Sequence, residues 1–130
     1  MSQEIQPQKT LAQATPAQET PLQENPMEID VLEFSAWRED GRPHAILDVR
    51  EPWEREICAF SGSLDIPMAE VPQRLAELPE GEALVVICHH GMRSRQVTQW
   101  LRAQGVQRAT NLSGGIDAWA RIVDRSMDLY

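Results

Sequence analysis

A cysteine stands where an apolar run gives way to a loop that contains glycine. The run Ala83–Ile87 leads into Cys88, and the hexapeptide Cys88–Arg93 includes Gly91. Between a buried strand and a helix, a thiol faces backbone N–H groups and the positive end of a helix dipole. That environment favours the thiolate, which is the nucleophilic form of cysteine. The spacing therefore predicts nucleophilic chemistry at Cys88.

A cysteine that ends an apolar strand is often only a small residue of the core. The residues after Cys88 favour chemistry. Gly91 lets the backbone come close to a ligand, and successive N–H groups around such a turn form a concavity that binds anions. Ser94 is placed to cap the following helix. No Asp or Glu lies between Glu82 and Asp117. The arginines of that interval are Arg93, Arg95, Arg102 and Arg108. We expect them to steer an anionic donor towards the loop.

Composition limits the classes of function. The 130 residues are enough for one domain, and the net charge of -8 argues against nucleic acid as a partner. Two cysteines are too few for a disulfide framework and indicate a reducing compartment, so we expect a cytoplasmic protein. No segment has the apolar length of a signal peptide or a membrane span, so no membrane partner is expected. We expect a monomer or a weak dimer.

The first 26 residues differ in composition from the rest. Gln recurs every five residues, with Thr and Pro in step, and a period of five fits neither a helix nor a strand. We interpret residues 1–26 as a disordered leader and residues 27–130 as the folded domain.

From Met27 onwards, short apolar strands alternate with amphipathic helices. Strands are predicted at Ala45–Val49, Ala83–Ile87 and Ala109–Leu112, and Leu64–Pro67 is predicted to be a short extended segment. Helices are predicted after Asp30, from Pro52, and over Pro72–Leu78, Ser94–Ala103 and Ile116–Val123. Repeated β-then-α units predict an α/β fold, a small parallel sheet flanked by helices on both faces. Sites in such sheets form at the carboxyl ends of the strands, where Cys88 stands.

Four separated pieces of the sequence resemble a known family. They are Leu47-Asp48-Val49-Arg50-Glu51-Pro52, Gly62-Ser63-Leu64-Asp65-Ile66-Pro67, Cys88-His89-His90-Gly91-Met92-Arg93-Ser94 and Asn111-Leu112-Ser113-Gly114-Gly115-Ile116-Asp117-Ala118-Trp119. In their order and spacing, the chain resembles the rhodanese (sulfurtransferase) homology domain in its single-domain form. The resemblance runs from about Glu28 to about Val123.

The resemblance implies a persulfide mechanism. The catalytic cysteine of the family opens a six-residue loop, and Cys88 holds that position. It would take a sulfane sulfur from a donor such as thiosulfate and pass it to a thiophilic acceptor, cyanide or a thiol. The remaining loop residues would bind the donor. They are His89, His90, Gly91, Met92 and Arg93. Arg93 is expected to face the sulfonate, because guanidinium suits a fork of anionic oxygens.

Neither a cofactor nor a metal is expected. His89 and His90 are adjacent, and adjacent side chains rarely point to the same ligand. By resemblance, Asp48 and Arg50 form a structural ion pair. Cys58 is interpreted as a packing residue, with a resolving role left open. The family usually has a histidine where this chain has Ala59, which removes one polar group without touching the Cys88 loop.

Three other interpretations remain open at this point. Cys88 could serve mainly as a sulfur carrier for a protein partner. Phosphatases and arsenate reductases share the fold, but their loop has one more residue than Cys88–Arg93. Silent binding modules of the family usually lack the cysteine, whereas Cys88 is present here.

Overall fold

Strands and helices alternate along the chain, as the apolar pattern predicts. The computed structural model describes residues 25–130. Its strands are β1 (Glu28–Ile29), β2 (His44–Asp48), β3 (Leu64–Asp65), β4 (Ala83–Ile87) and β5 (Ala109–Leu112). Its α-helices are α1 (Val31–Glu39), α2 (Pro52–Ile57), α3 (Met92–Ala103) and α4 (Gly115–Ala118). The strands form one parallel sheet in the order β1-β5-β4-β2-β3, which places β4 at its centre.

The two faces of the sheet carry separate apolar cores. Successive side chains of a strand point to opposite faces, so Leu84 and Val86 pack on one side of β4 while Val85 and Ile87 pack on the other. The first core also contains residues of α3, and the second contains residues of α1 and α4. The predicted α/β class, with helices on both faces of a parallel sheet, is confirmed.

Three helices differ from the sequence-based expectation. The helix predicted over Ile116–Val123 is α4 followed by a π-helix, Trp119–Val123. The segment predicted as a helix over Pro72–Leu78 is a 3-10 helix, Met68–Glu77, with Pro72 inside it. Proline has no N–H to give to an α-helical hydrogen bond, so the tighter form is favoured there. Helix α3 begins at Met92, because Gly91 adopts φ 98 at the N-cap position. Ser94 is therefore not the cap that the sequence suggested, and it lies in the first turn of α3.

The folded contacts begin slightly earlier than predicted. Asn25 and Pro26, which the sequence analysis placed in the leader, accept hydrogen bonds through their backbone oxygens from Arg102 and Thr110. Met27 accepts a backbone hydrogen bond from Asn111, next to β1. The rest of the predicted leader, residues 1–24, lies outside the described residues. Among the described residues, no helix has the length and apolarity that crossing a membrane requires.

Candidate functional site

The thiol of Cys88 lies at the carboxyl end of the central strand, surrounded by donors. The Sγ atom accepts hydrogen bonds from the N–H groups of Gly91 at 3.1 Å and Ser94 at 3.3 Å. The Ser94 hydroxyl lies 3.2 Å from the same sulfur. Cys88 is only 1% exposed, so it lies at the bottom of the loop. Two N–H donors on one sulfur, with a hydroxyl within reach of it, are the surroundings that stabilise an anion.

The Ser94 hydroxyl has a second partner and only one proton. Its Oγ lies 2.6 Å from Asn111 Oδ1. The Asn111 amide group is oriented by donating to Glu28 Oε2 at 2.7 Å and to the Gly91 carbonyl at 3.2 Å. A thiol at Cys88 can donate to Ser94 while the hydroxyl donates to Asn111. A thiolate instead accepts a hydrogen bond from the hydroxyl. The Ser94 hydroxyl can therefore rotate its proton from Asn111 to the sulfur when the sulfur becomes charged.

The turn after β5 holds the loop from behind. The N–H groups of Ile116 and Asp117 donate to the carbonyls of Cys88 and His89, each at 3.0 Å. At Gly115, φ is 64, and a Cβ there would come within 2.4 Å of the His89 carbonyl oxygen. Only glycine permits this approach of backbone to backbone. The Gly114-Gly115 pair of the resemblance thus fixes the shape of the cysteine loop.

Arg93, the last residue of the loop, is bound to a buried carboxylate. Its two terminal nitrogens donate to the two oxygens of Glu54, both at 2.8 Å. The Arg93 guanidinium, by hydrogen bonding, holds the pKa of Glu54 down at about 2. Glu54 Oε1 also accepts from the Tyr130 hydroxyl at 2.8 Å. The guanidinium that was expected to face a sulfonate is thus hydrogen-bonded to Glu54.

The predicted ion pair of Asp48 and Arg50 is confirmed. Arg50 donates to Asp48 Oδ2 at 2.8 Å, and both side chains are fully buried. Arg50 also donates to the Cys58 carbonyl at 2.8 Å and to the Tyr130 hydroxyl at 3.0 Å. Burial raises the pKa of Tyr130 to about 12. This network links the end of β2 to Tyr130, whose ring stacks on His89 of the loop.

The two histidines of the loop lie against Asp117. The Nε2 atoms of His89 and His90 are each 3.9 Å from one oxygen of that carboxylate. The His89 ring stacks on the Tyr130 ring at 3.7 Å and on the His90 ring at 3.8 Å. Burial, followed by the neighbouring His90, lowers the pKa of His89. The premise that adjacent histidines point apart is therefore wrong for this loop.

The other predicted residues have different surroundings. Met92 is 69% exposed and its side chain lies on the surface. Gly91 contributes its N–H and carbonyl, and a Cβ there would come 3.0 Å from the Gly114 nitrogen. Cys58 lies outside the loop and packs against the second core. Burial raises the pKa of the Cys58 thiol, which disfavours its ionisation.

Several residues that shape the site had no role assigned to them from the sequence. Asn111 could have been noticed because it is a polar residue inside a buried strand. Asp117 could have been noticed because it lies two residues after the Gly114-Gly115 turn. Glu54 and Tyr130 gave no signal, because only the fold brings α2 and the last residues to the loop.

Comparison with known proteins defines the class. The family model for the rhodanese-like domain matches residues 30–122, and the chain belongs to this family. A protein of Allochromatium vinosum named sulfurtransferase is 37% identical over 93 residues, which cover 72% of this chain and 87% of that protein.

Two further similar proteins differ in how much of their own length the match covers. The maize adenylyltransferase and sulfurtransferase MOCS3-1 is 36% identical over 105 residues, covering 75% of this chain. This chain spans only 22% of the length of that relative. A crystal structure from Staphylococcus saprophyticus matches with a TM-score of 0.67 and 34% identity, covering 78% of this chain and 97% of the other.

Proposed function

We propose that this chain is a sulfurtransferase that carries sulfane sulfur as a persulfide on Cys88. The supporting observation is the position of Cys88 Sγ at the end of β4, within hydrogen-bond distance of two N–H groups and the Ser94 hydroxyl. These donors stabilise negative charge on the sulfur, and the thiolate is the form that attacks a sulfur donor. A single-domain relative that is named a sulfurtransferase supports the same reaction class.

The proposed reaction has two displacement steps. The Cys88 thiolate attacks the outer sulfur of thiosulfate, a new S–S bond forms, and sulfite leaves with the electron pair of the broken S–S bond. A thiophilic acceptor then attacks the outer sulfur of the persulfide. The product is thiocyanate when the acceptor is cyanide, or a new persulfide when it is a thiol. Cys88 returns as the thiolate, so no external oxidant or reductant is needed.

The loop residues 89–93 are proposed to bind the donor. Arg93 uses one N–H of each terminal nitrogen for Glu54, and the other hydrogens of the guanidinium are able to reach a sulfonate oxygen. Both cysteines are free thiols, so we propose a reducing compartment, the cytoplasm, as the site of the activity.

A protein acceptor is favoured by the exposed apolar side chains around the loop. Met92 is 69% exposed, and Trp53 is 60% exposed while its ring lies 6.0 Å from the Tyr130 ring. Trp and Met are enriched in protein–protein interfaces, so these two exposed side chains support the docking of a protein acceptor. In this second candidate function, Cys88 is a sulfur carrier for a protein partner and the chemistry at sulfur is unchanged.

The test is a measurement of intact mass after incubation with thiosulfate. We expect the wild-type chain to gain one sulfur, about 32 Da, and to lose it on addition of cyanide. Cys88→Ser should gain nothing and should not produce thiocyanate. Cys58→Ser, the control with the other thiol removed, should behave as the wild type. Thiocyanate production by Cys88→Ser would refute the assignment.

A further inference from the structure

The two histidines of the loop and one carboxylate of α4 form a second cluster of ligand atoms, separate from the donors around the sulfur. His89 Nε2 lies 3.9 Å from Asp117 Oδ1, and His90 Nε2 lies 3.9 Å from Asp117 Oδ2. One ligand atom from each of the three residues lies within 4.8 Å of the others. Neither cysteine sulfur belongs to this group. His89 and His90 are also among the residues proposed above to bind the donor, so the cluster adjoins the persulfide site and does not include its nucleophile.

Two atoms of the cluster are buried without a partner. Among residues 25–130, His89 Nε2 and Asp117 Oδ1 have no hydrogen-bond partner. A buried polar atom left unpaired costs about 1–3 kcal/mol, so an arrangement that leaves two of them facing one another needs a reason. An atom that accepts lone pairs from both groups would satisfy both at once.

The surroundings fix two of the three ligands in advance. The His89 ring is sandwiched between the rings of Tyr130 and His90. Asp117 is fixed relative to His89 because its own N–H donates to the His89 carbonyl at 3.0 Å. The stacking of His89 on Tyr130 does not depend on His90, so only the His90 side chain, which is 60% exposed, has to be ordered when an ion binds.

The separations are close to those of a metal site. Bonds of about 2.0–2.2 Å to nitrogen and oxygen place the ligand atoms of a tetrahedral ion roughly 3.3–3.5 Å apart. The two observed distances of 3.9 Å end on different oxygens of Asp117, and the three ligand atoms lie within 4.8 Å of one another. The set therefore has to close by about half an ångström to about 1.5 Å, which rotation of the exposed His90 side chain can supply. Arg121 donates to Asp117 Oδ2 at 2.9 Å, but it is 59% exposed and free to move away, and Oδ1 does not depend on it.

We propose that His89, His90 and Asp117 form a binding site for a divalent transition-metal ion of the zinc class. Two imidazoles and one carboxylate are ligands that Zn²⁺, Co²⁺, Ni²⁺ and Cu²⁺ accept, whereas Mg²⁺ and Ca²⁺ prefer oxygen alone. Three protein ligands leave a fourth position to solvent, on the exposed side of His90. The ion would be bound to the residues directly after Cys88, and so would add positive charge beside the loop.

The experiment uses the full chain after treatment with a chelator, with Co²⁺ as the spectroscopic probe and Zn²⁺ as the competitor. We expect one equivalent of Co²⁺ to give the visible absorption of a site with nitrogen and oxygen ligands, without the charge-transfer band of a thiolate ligand. Zn²⁺ should displace it. Because His90 is exposed, His90→Ala removes a ligand without touching the core, and it should weaken binding by about tenfold or more, as should Asp117→Asn.

Two further variants test whether other side chains of the protein bind the ion. Cys88→Ser should bind Co²⁺ as the wild type does, because the thiol is not a ligand. His44→Gln changes the remaining histidine of the chain and should also leave binding unchanged. The proposal is overturned by the absence of saturable binding, by loss of binding in Cys88→Ser, or by wild-type affinity in either His90→Ala or Asp117→Asn.

Discussion

At the scale of single residues, the site depends on one hydroxyl that serves two acceptors. Ser94 Oγ lies within hydrogen-bond distance of both Cys88 Sγ and Asn111 Oδ1. Its proton can stay on the amide side while the sulfur is a thiol and turn to the sulfur when that is charged. The hydroxyl is therefore a donor that is held in place next to the nucleophile and already desolvated. We infer that it stabilises the sulfur anion in the attacking and leaving states.

Ser94→Ala tests this role of the hydroxyl. The substitution removes the side-chain hydroxyl and keeps the backbone N–H of residue 94, so the loop should fold as before. A hydrogen bond to a charged group contributes about 1.5–3 kcal/mol, which predicts a fall in the rate of persulfide formation by about ten- to a hundredfold. Rapid-mixing measurement of sulfite release gives that rate.

A suitable control for Ser94→Ala is Ser63→Ala, which removes an exposed hydroxyl that bonds to Asp65. It should keep the wild-type rate. If Ser94→Ala released sulfite as fast as the control, the hydroxyl would have no part in stabilising the sulfur.

At the scale of elements, the cysteine loop takes its shape from a turn that lies some 25 residues later in the sequence. The two positive-φ glycines at the end of β5 let the first turn of α4 donate its N–H groups to the loop carbonyls. A helix N-terminus supplies free donors, and here they hold protein backbone in place. The loop is thus held by two helices: α3 continues from its end, and α4 donates hydrogen bonds to its carbonyls.

Gly115→Ala tests the fit between these two elements. The added Cβ would come within 2.4 Å of the His89 carbonyl oxygen and 2.6 Å of the Cys88 carbonyl oxygen, so the loop has to move. We expect a loss of several kcal/mol in the free energy of unfolding. We also expect the rate of persulfide formation to fall by about a hundredfold or more, because a displacement of an ångström at a site has that effect.

Gly62→Ala is the matched control for Gly115→Ala. Gly62 has φ 80, and a Cβ there meets no described atom within 4 Å. The control therefore carries the strain of a positive φ without the clash, and it should cost about 1–2 kcal/mol and leave the rate unchanged. Equal losses in both variants, measured by urea unfolding, would show that strain rather than contact with the loop is responsible.

The sequence predicted those features that depend on local pattern. The run Ala83–Ile87 is continuous and apolar, as expected for a central parallel strand, and its bounds are confirmed. The ion pair of Asp48 and Arg50 lies two residues apart in the chain, so the resemblance was enough to predict it. The start of α3 was wrong by two residues, because Ser94 was read as a cap while Gly91 has the conformation that begins the helix.

At the scale of the whole molecule, contacts between distant segments complete the site, and no local pattern could predict them. Glu54 lies in α2 and Arg93 at the start of α3, while Tyr130 comes from the last residues of the sequence. Glu54 is the centre of this network, with a side chain only 4% exposed. A buried carboxylate is favourable only when its charge is paired and its oxygens are hydrogen-bonded. Arg93 supplies the opposite charge, and the Tyr130 hydroxyl supplies a further hydrogen bond. The network therefore couples the stability of the fold to the position of Arg93.

The hydrogen bonds to Glu54 stabilise the fold against acid. The pKa of Glu54 is lowered from 4.5 in the unfolded chain to about 2 in the folded protein, first by hydrogen bonding to Arg93. A group with a depressed folded pKa contributes stability above its unfolded pKa and loses it as the pH falls through the folded one. The contribution is at most about 3 kcal/mol, fully present above pH of about 5 and lost towards about 2.

Glu54→Gln cannot titrate, so its free energy of unfolding should be lower than that of the wild type at neutral pH, and the difference should shrink as the pH falls from 5 to 2. Urea unfolding at a series of pH values measures this. Glu77→Gln is the control, because Glu77 also pairs with an arginine but does so on the surface, where such pairs contribute little. A constant difference between Glu54→Gln and the wild type across that range would mean that the charge of Glu54 does not stabilise the fold.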